Sequence, residues 1–165
     1  MTHWAVDTNV PRVANYPHDP THASPECVLE CVRRVRELTA RGGLLLDDGW
    51  RIIREYQNQL RSAGQPGVGD AFLRAVLTRH KDPSWCTLVP ITAHPERGFE
   101  EYPADPHLAA FDPSDHKFVA VARAGPQPAV VLNAVDTDWW DHREALERNG
   151  VRVDFLCPAQ MVADR

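Results

Sequence analysis

Short apolar runs alternate with amphipathic stripes along this chain, and that alternation constrains the fold more than any other feature. His3 to Val6 reads as a short strand ahead of Asp7, and Asn15 to Ala23 is a loop rich in Pro, His and Asp. Ser24-Pro25-Glu26 starts a helix, with Ser as N-cap and Pro in the first helical position. Its apolar stripe is Val28, Val32, Val35 and Leu38, and Gly42-Gly43 stops it. Leu44-Leu45-Leu46 is a buried strand ending at Asp47-Asp48-Gly49, and Trp50 to about Leu60 is a helix with Ile52, Ile53, Tyr56 and Leu60 on one face. After a Gly/Pro loop from Ser62 to Gly69, Asp70 caps a helix over about Ala71 to His80, and Cys86 to Ile91 is a strand. Thr92 to Ala110 is an irregular insert. Asp112-Pro113 opens a helix through Phe118, Val119 and Ala122 that ends at Gly125-Pro126. Ala129 to Val135 is a strongly apolar strand ending at Asp136, Asp138 to Asn149 is a helix, and Val151 to Leu156 is the last strand. Strand and helix in alternation predict an α/β fold with a mostly parallel sheet covered on both faces.

Size and composition fit that fold. The 165 residues suit one domain over 1–165, with the insert at about 92–110. No apolar run approaches the roughly 20 residues of a membrane helix, and Met1-Thr2-His3-Trp4 lacks the basic and apolar regions of a signal peptide. A cytoplasmic protein is expected. Cys27, Cys31, Cys86 and Cys157 show no paired C-x-x-C pattern, so Cys27 and Cys31, four apart on a helix, read as small apolar fillers. A zinc site drawing on His18 and His22 would match no established spacing. The net charge of −5 is uneven: residues 1–82 hold 11 Lys/Arg against 10 Asp/Glu, and residues 83–165 hold 7 against 13. An acidic chain does not coat nucleic acid by charge alone. A cluster of acids facing a metal would produce the asymmetry.

In parallel sheets, ligands bind at the carboxyl ends of the strands. Asp7 and Asp136 stand at that edge. Asp7 alone would read as a turn residue, and Asp112 as a helix N-cap. Asp115, by helical angle, falls on the face of Phe118 and Ala122 that turns to the core, where a carboxylate is costly unless something positive meets it. Glu55 flanks the apolar face of its helix and can reach a cleft, while Asp138 reads equally well as the cap of its own helix. Mg²⁺ takes oxygen ligands, usually a few carboxylates with water and phosphate oxygens. Such ions can activate water for phosphodiester hydrolysis. These acids are therefore candidates to hold metal rather than to attack phosphorus.

The same residues carry a family resemblance. Val6-Asp7-Thr8-Asn9-Val10 resembles the opening signature of PIN domains, and Ile53-Arg54-Glu55-Tyr56 resembles their second motif. Asp115-His116-Lys117-Phe118-Val119-Ala120-Val121-Ala122 is similar to the third, and Asp136-Thr137-Asp138-Trp139 to the fourth. The four occur in order and span residues 6–139. The resemblance implies a three-layer α/β/α sandwich and a Mg²⁺- or Mn²⁺-dependent nuclease, usually acting on RNA. It makes Asp7, Glu55, Asp115 and Asp136 the catalytic metal-site acids, with Asp138 auxiliary. Thr8 and Asn9 would sit beside the first acid, holding it or meeting substrate. The insert, with His94, Glu96, Arg97, Glu100 and Glu101, is longer than small toxin-type PIN domains carry, and would wall the substrate or cover an edge.

Substrate contacts are more open. Arg33, Arg34, Arg36 and Arg41 share one predicted helix, and Arg51 and Arg54 another; either set would suit phosphates. Trp139 and Trp140 would stack on a base or pack beneath a helix. The expected activity is that of an endoribonuclease on single-stranded or structured RNA. It would be the toxin of a toxin–antitoxin pair, with an antitoxin partner, or a housekeeping RNA enzyme, and homodimers are common in such domains. The alternative is a catalytically silent PIN-like module that binds RNA or protein. A small-molecule phosphatase lacks support, because neither a G-x-x-x-x-G-K loop nor a convincing G-x-S-x-G elbow is present.

Overall fold

The computed structural model describes residues 1–163. Its centre is a five-stranded sheet built from β1 (His3–Val6), β2 (Leu44–Asp47), β3 (Cys86–Val89), β6 (Ala129–Asn133) and β7 (Arg152–Phe155). The strand order is β3-β2-β1-β6-β7, and every neighbouring pair is parallel. β2 and β6 are buried at every position, which is why their sequences run apolar rather than alternating. Helices flank the sheet to give a three-layer α/β/α fold: α1 (Asn9–Ala14), α2 (Pro25–Arg41), α3 (Arg51–Gln59), α4 (Val68–Arg79), α5 (His116–Ala124), α6 (Thr137–Asp141), α7 (Arg143–Arg148) and α8 (Pro158–Ala163). Successive strands step outward from β1 to β3, then the chain returns to β6 on the other side of β1. The reversal places the topological switch point between β1 and β6, where open α/β sheets bind ligands.

Several elements depart from the sequence reading. α1 was not foreseen, because six residues are too few to show a helical stripe. α4 begins at Val68 rather than after Asp70, with Gly67 as N-cap. Asp70 sits inside the first turn and accepts from Gly67 N at 3.1 Å, Arg61 N at 2.8 Å and Asn15 Nδ2 at 2.9 Å. The single helix expected from Asp138 to Asn149 is two short ones, broken at His142. The insert is partly ordered as an antiparallel hairpin of β4 (Ala93–His94) and β5 (Gly98–Phe99) followed by a 3-10 turn over Pro106–Leu108.

Cys27 is no filler. It forms a disulfide with Cys157 that ties the first turn of α2 to the residue before α8. A sequence separation of 130 leaves no local spacing to signal the pair. Cys31 and Cys86 are buried free thiols, each pushed up to about 12 by burial.

α1 and α4 meet at a glycine. A Cβ on Gly69 would stand 1.9 Å from the carbonyl oxygen of Pro11, a backbone atom that cannot step aside alone. We expect Gly69→Ala to push the two helices apart and cost about 2–3 kcal/mol. Thermal unfolding should show a fall of roughly 5–10 °C; an unchanged midpoint would mean that the contact is not close.

Candidate metal centre

The register of β1 on β6 pairs Val6 with Leu132, and the ladder continues as Asp7 N donates to Leu132 O at 3.1 Å. Asp7 therefore leaves the sheet beside Asn133, with Asp136 one tight turn further on. Asn133 shapes that turn: its Nδ2 donates to Asp136 O at 3.1 Å and its Oδ1 accepts from Asp136 N at 3.3 Å. Asp115 arrives from the other direction, at the start of α5, a helix packed on β1, β2 and β6. Asp112 caps the 3-10 turn Pro113–Asp115 that leads into α5, its Oδ1 accepting from Ser114 N at 3.0 Å. That frees the Asp115 carboxyl, which makes no capping bond. Asp7, Asp115 and Asp136 each bring a carboxylate oxygen to within 4.8 Å of the other two.

Burial and crowding set the electrostatics. Asp7 and Asp115 are 5% and 6% exposed. Burial drives Asp7 up to about 7, with Asn9 N and the Trp139 indole pulling it down and Asp136 and Glu55 pushing it up. Burial likewise drives Asp115 to about 9, reinforced by the charges of Asp7 and Asp136. Asp136 is raised too, chiefly by burial. Among the described residues, none of the three forms an ion pair with Lys, Arg or His. The cluster is thus a set of hard oxygen donors that burial and mutual charge push toward the protonated form. Those are the properties that a divalent ion such as Mg²⁺ or Mn²⁺ would complement.

A third strand-end acid shows the contrast. Asp47 is fully buried, yet its oxygens accept from Gly49 N (3.1 Å), Arg51 N (3.0 Å), Ile52 N (2.9 Å) and Arg51 Nη1 (3.3 Å). Its charge is committed to the start of α3. Asp7 has one donor per oxygen, Asn9 N at 3.0 Å and Trp139 Nε1 at 2.7 Å, and keeps lone pairs to spare.

The other expected site residues surround the trio. Glu55 stands outside it: the Thr8 hydroxyl donates to Oε2 and Lys117 Nζ to Oε1 at 2.8 Å. Thr8 is thereby a holder of Glu55. Asn9 is a clamp between β1 and β6, donating to Asn133 Oδ1 at 2.8 Å and accepting from Ala134 N at 2.8 Å. Its side chain is committed to the fold rather than aimed at substrate. Asp138 accepts from Asp112 N at 2.9 Å and lies 3.2 Å from His142 Nδ1, so it braces the loop that carries Asp115. The cap of α6 is Asp136, not Asp138, as Asp136 Oδ1 accepts from Asp138 N at 2.9 Å. Arg54 is exposed at the rim, its side chain without a partner among the described residues.

Among the other cations, Arg34 and Arg41 lie beside Met1, Thr2 and Trp4, at the opposite edge of the sheet from Asp7. Arg33 is taken up by Glu30 and Glu37. Trp139 packs fully buried and holds Asp7, whereas Trp140 meets Phe155 edge-on at 5.0 Å. Lys117 and Asn133 were missed by sequence reasoning. Neither lies in a pattern that separates it from a surface lysine or a strand-end turn residue. Comparisons with family models, with curated proteins and with solved structures return no match.

Proposed function

We propose that this chain is a divalent-metal-dependent nuclease of the PIN type that cuts RNA internally. One observation carries the reading: two buried carboxylates and a half-buried third, unpaired with any cation among the described residues, converge at the switch point of a parallel sheet. Asp7, Asp115 and Asp136 would hold Mg²⁺ or Mn²⁺, with Glu55 at the margin. A bound divalent cation supplies Lewis-acid polarisation of phosphate and a water acidic enough to attack it. The chain's own residues orient the ligands: Trp139 and Asn9 N fix Asp7, Asn133 fixes the Asp136 turn, and Thr8 with Lys117 fixes Glu55. RNA as substrate is what the resemblance of the four ordered motifs implies, and a toxin role with an antitoxin partner is a narrower form of the same proposal.

The test is cleavage of a 5′-labelled, partly structured RNA. Internal fragments are expected with Mn²⁺ or Mg²⁺ and none in excess chelator. If neither RNA nor DNA is cut in either metal while the RNA is still bound, the silent binding module replaces this reading. No helix among the described residues is long and apolar enough to cross a membrane. The Cys27–Cys157 disulfide weighs against the cytoplasmic location expected from the sequence, because such bonds persist mainly in oxidising compartments.

A further inference from the structure

A cavity of about 380 Å³ opens beside Glu55, between α3, the β4–β5 hairpin and the start of α5. The side chains that matter in it are Arg51, Arg54, Glu55, Phe99, Ser114 and Lys117. Three cations thus face one carboxylate, in a chain whose net charge is −5. Glu55 joins the cavity to the metal centre through Thr8, the residue after Asp7, whose hydroxyl donates to it, and Ser114 in the cavity wall immediately precedes Asp115. The α3 wall of the cavity packs on β2, whereas Asn9 and Asn133 clamp β1 to β6.

The aromatic wall is supplied by the insert. Phe99 is half-buried, with the Arg51 guanidinium 5.2 Å from its ring centre. The hairpin that carries Phe99 is pinned to the residue after Asp115: His116 Nδ1 lies 3.0 Å from Arg97 O, and the Tyr102 ring stacks on His116 at 3.7 Å. Arg97 Nε donates to Tyr102 O at 3.1 Å, and Arg123 Nη1 to Glu101 O at 2.6 Å. The position of Phe99 relative to the carboxylates is therefore fixed by packing. Of the three cations, Arg51 is turned partly toward Asp47 and Lys117 toward Glu55, which leaves Arg54 the one without a side-chain partner among the described residues.

Cations and a π-face together suit a nucleotide, with phosphate oxygens on the cations and the base on the ring. A base within a duplex keeps its faces stacked on its neighbours and cannot lie against such a wall. Building on the nuclease reading, we propose that this cavity is a subsite for one unpaired nucleotide next to the cut, its phosphate on Arg54 and Lys117 and its base on Phe99. The insert then selects single-stranded over paired RNA.

The test is fluorescence anisotropy of the full chain with a labelled single-stranded RNA in Ca²⁺, alongside cleavage in Mn²⁺. Phe99→Ala should weaken binding on the order of tenfold, and Phe99→Tyr, which keeps the ring, should restore it. Arg54→Ala should make the salt dependence shallower by about 0.7 in log–log slope, the share of one phosphate on a single strand. Arg41→Ala, at the opposite edge of the sheet, should bind as the parent does. A blunt duplex should fail to compete. Unchanged binding in Phe99→Ala, or equal competition by duplex, overturns the subsite while metal-dependent cleavage by the parent leaves the nuclease reading standing. Binding that depends on Phe99 without any cleavage keeps the subsite and removes the nuclease. A parent that neither binds nor cuts removes both.

Discussion

Asp115→Asn should abolish metal-dependent cleavage and, in the same protein, raise the unfolding temperature of the metal-free state at pH 8. Two opposite effects from one substitution follow from where the carboxyl sits. It is 6% exposed, faces Asp7 and Asp136, and is pushed up to about 9. In the metal-free state at pH 8 it is held as the neutral acid, donating to Asp136. An amide has the same shape, stays neutral at every pH and can donate the same hydrogen bond, so the fold loses nothing and sheds a cost that grows with pH. The proposed metal would lose a charged ligand. If the ion supplies several kcal/mol of transition-state stabilisation, turnover falls on the order of a thousandfold. The independent readout is thermal unfolding with Mn²⁺. At a hundredfold excess over its Kd, the ion should stabilise the parent by about 2.7 kcal/mol, roughly 5–10 °C. The variant should gain little. A variant that still cuts, or that unfolds earlier than the parent at pH 8 without metal, would remove Asp115 from the site.

What could be read from the sequence was whatever has a local period or a local grammar. The parallel sheet announced itself through Leu44-Leu45-Leu46 and Ala129 to Val135, because strands buried on both faces must be continuously apolar. Asp7 was legible as a strand end; Asp136 was read the same way, although β6 ends at Asn133 and Asp136 caps α6, and Asp115 stood out because its helical angle turned a charge toward the core. Contacts between distant residues were not. Asn9 looks like a turn residue, and only the β1–β6 register makes it a clamp on Asn133, 124 residues away. Lys117 looks isolated until α5 docks beside α3 and places it on Glu55. The Cys27–Cys157 bond joins the start of α2 to the last turn before α8, a meeting that no spacing foretells. Phe99 sat in a stretch that read as irregular, and it gains meaning only once His116 and Tyr102 hold the hairpin against the site. Asp47 is the converse: by sequence it is a strand-end acid like Asp7, and its backbone partners alone exclude it.

The pH dependence of the metal-free protein should run against that of an ordinary acid-rich domain. Asp7 and Asp115 have an ordinary value of 3.8 and are raised to about 7 and about 9 in the fold, with Asp136 raised in the same sense. Between about pH 4 and pH 9 the folded chain therefore binds more protons than the unfolded chain, and stability must fall as pH rises. Each retained proton contributes a slope of about 1.4 kcal/mol per pH unit. The decline should be steeper from pH 5 to 7, where Asp7 and Asp115 both hold protons, and shallower from 7 to 9, where only Asp115 does. Asp70 and Asp105 act oppositely, since their hydrogen bonds hold them below 3.8; the stability they add is complete before pH 5 and does not mask the decline. On the proposed reading a divalent ion would reverse the trend. It would bind the charged carboxylates and displace their protons, so its apparent affinity should rise about tenfold per pH unit between 7 and 9, and faster below 7. Denaturant unfolding from pH 5 to 9, with Mn²⁺ and with chelator, measures both slopes. Parallel curves, equally flat with and without metal, would mean that the three carboxylates ionise independently of the ion and do not form its site.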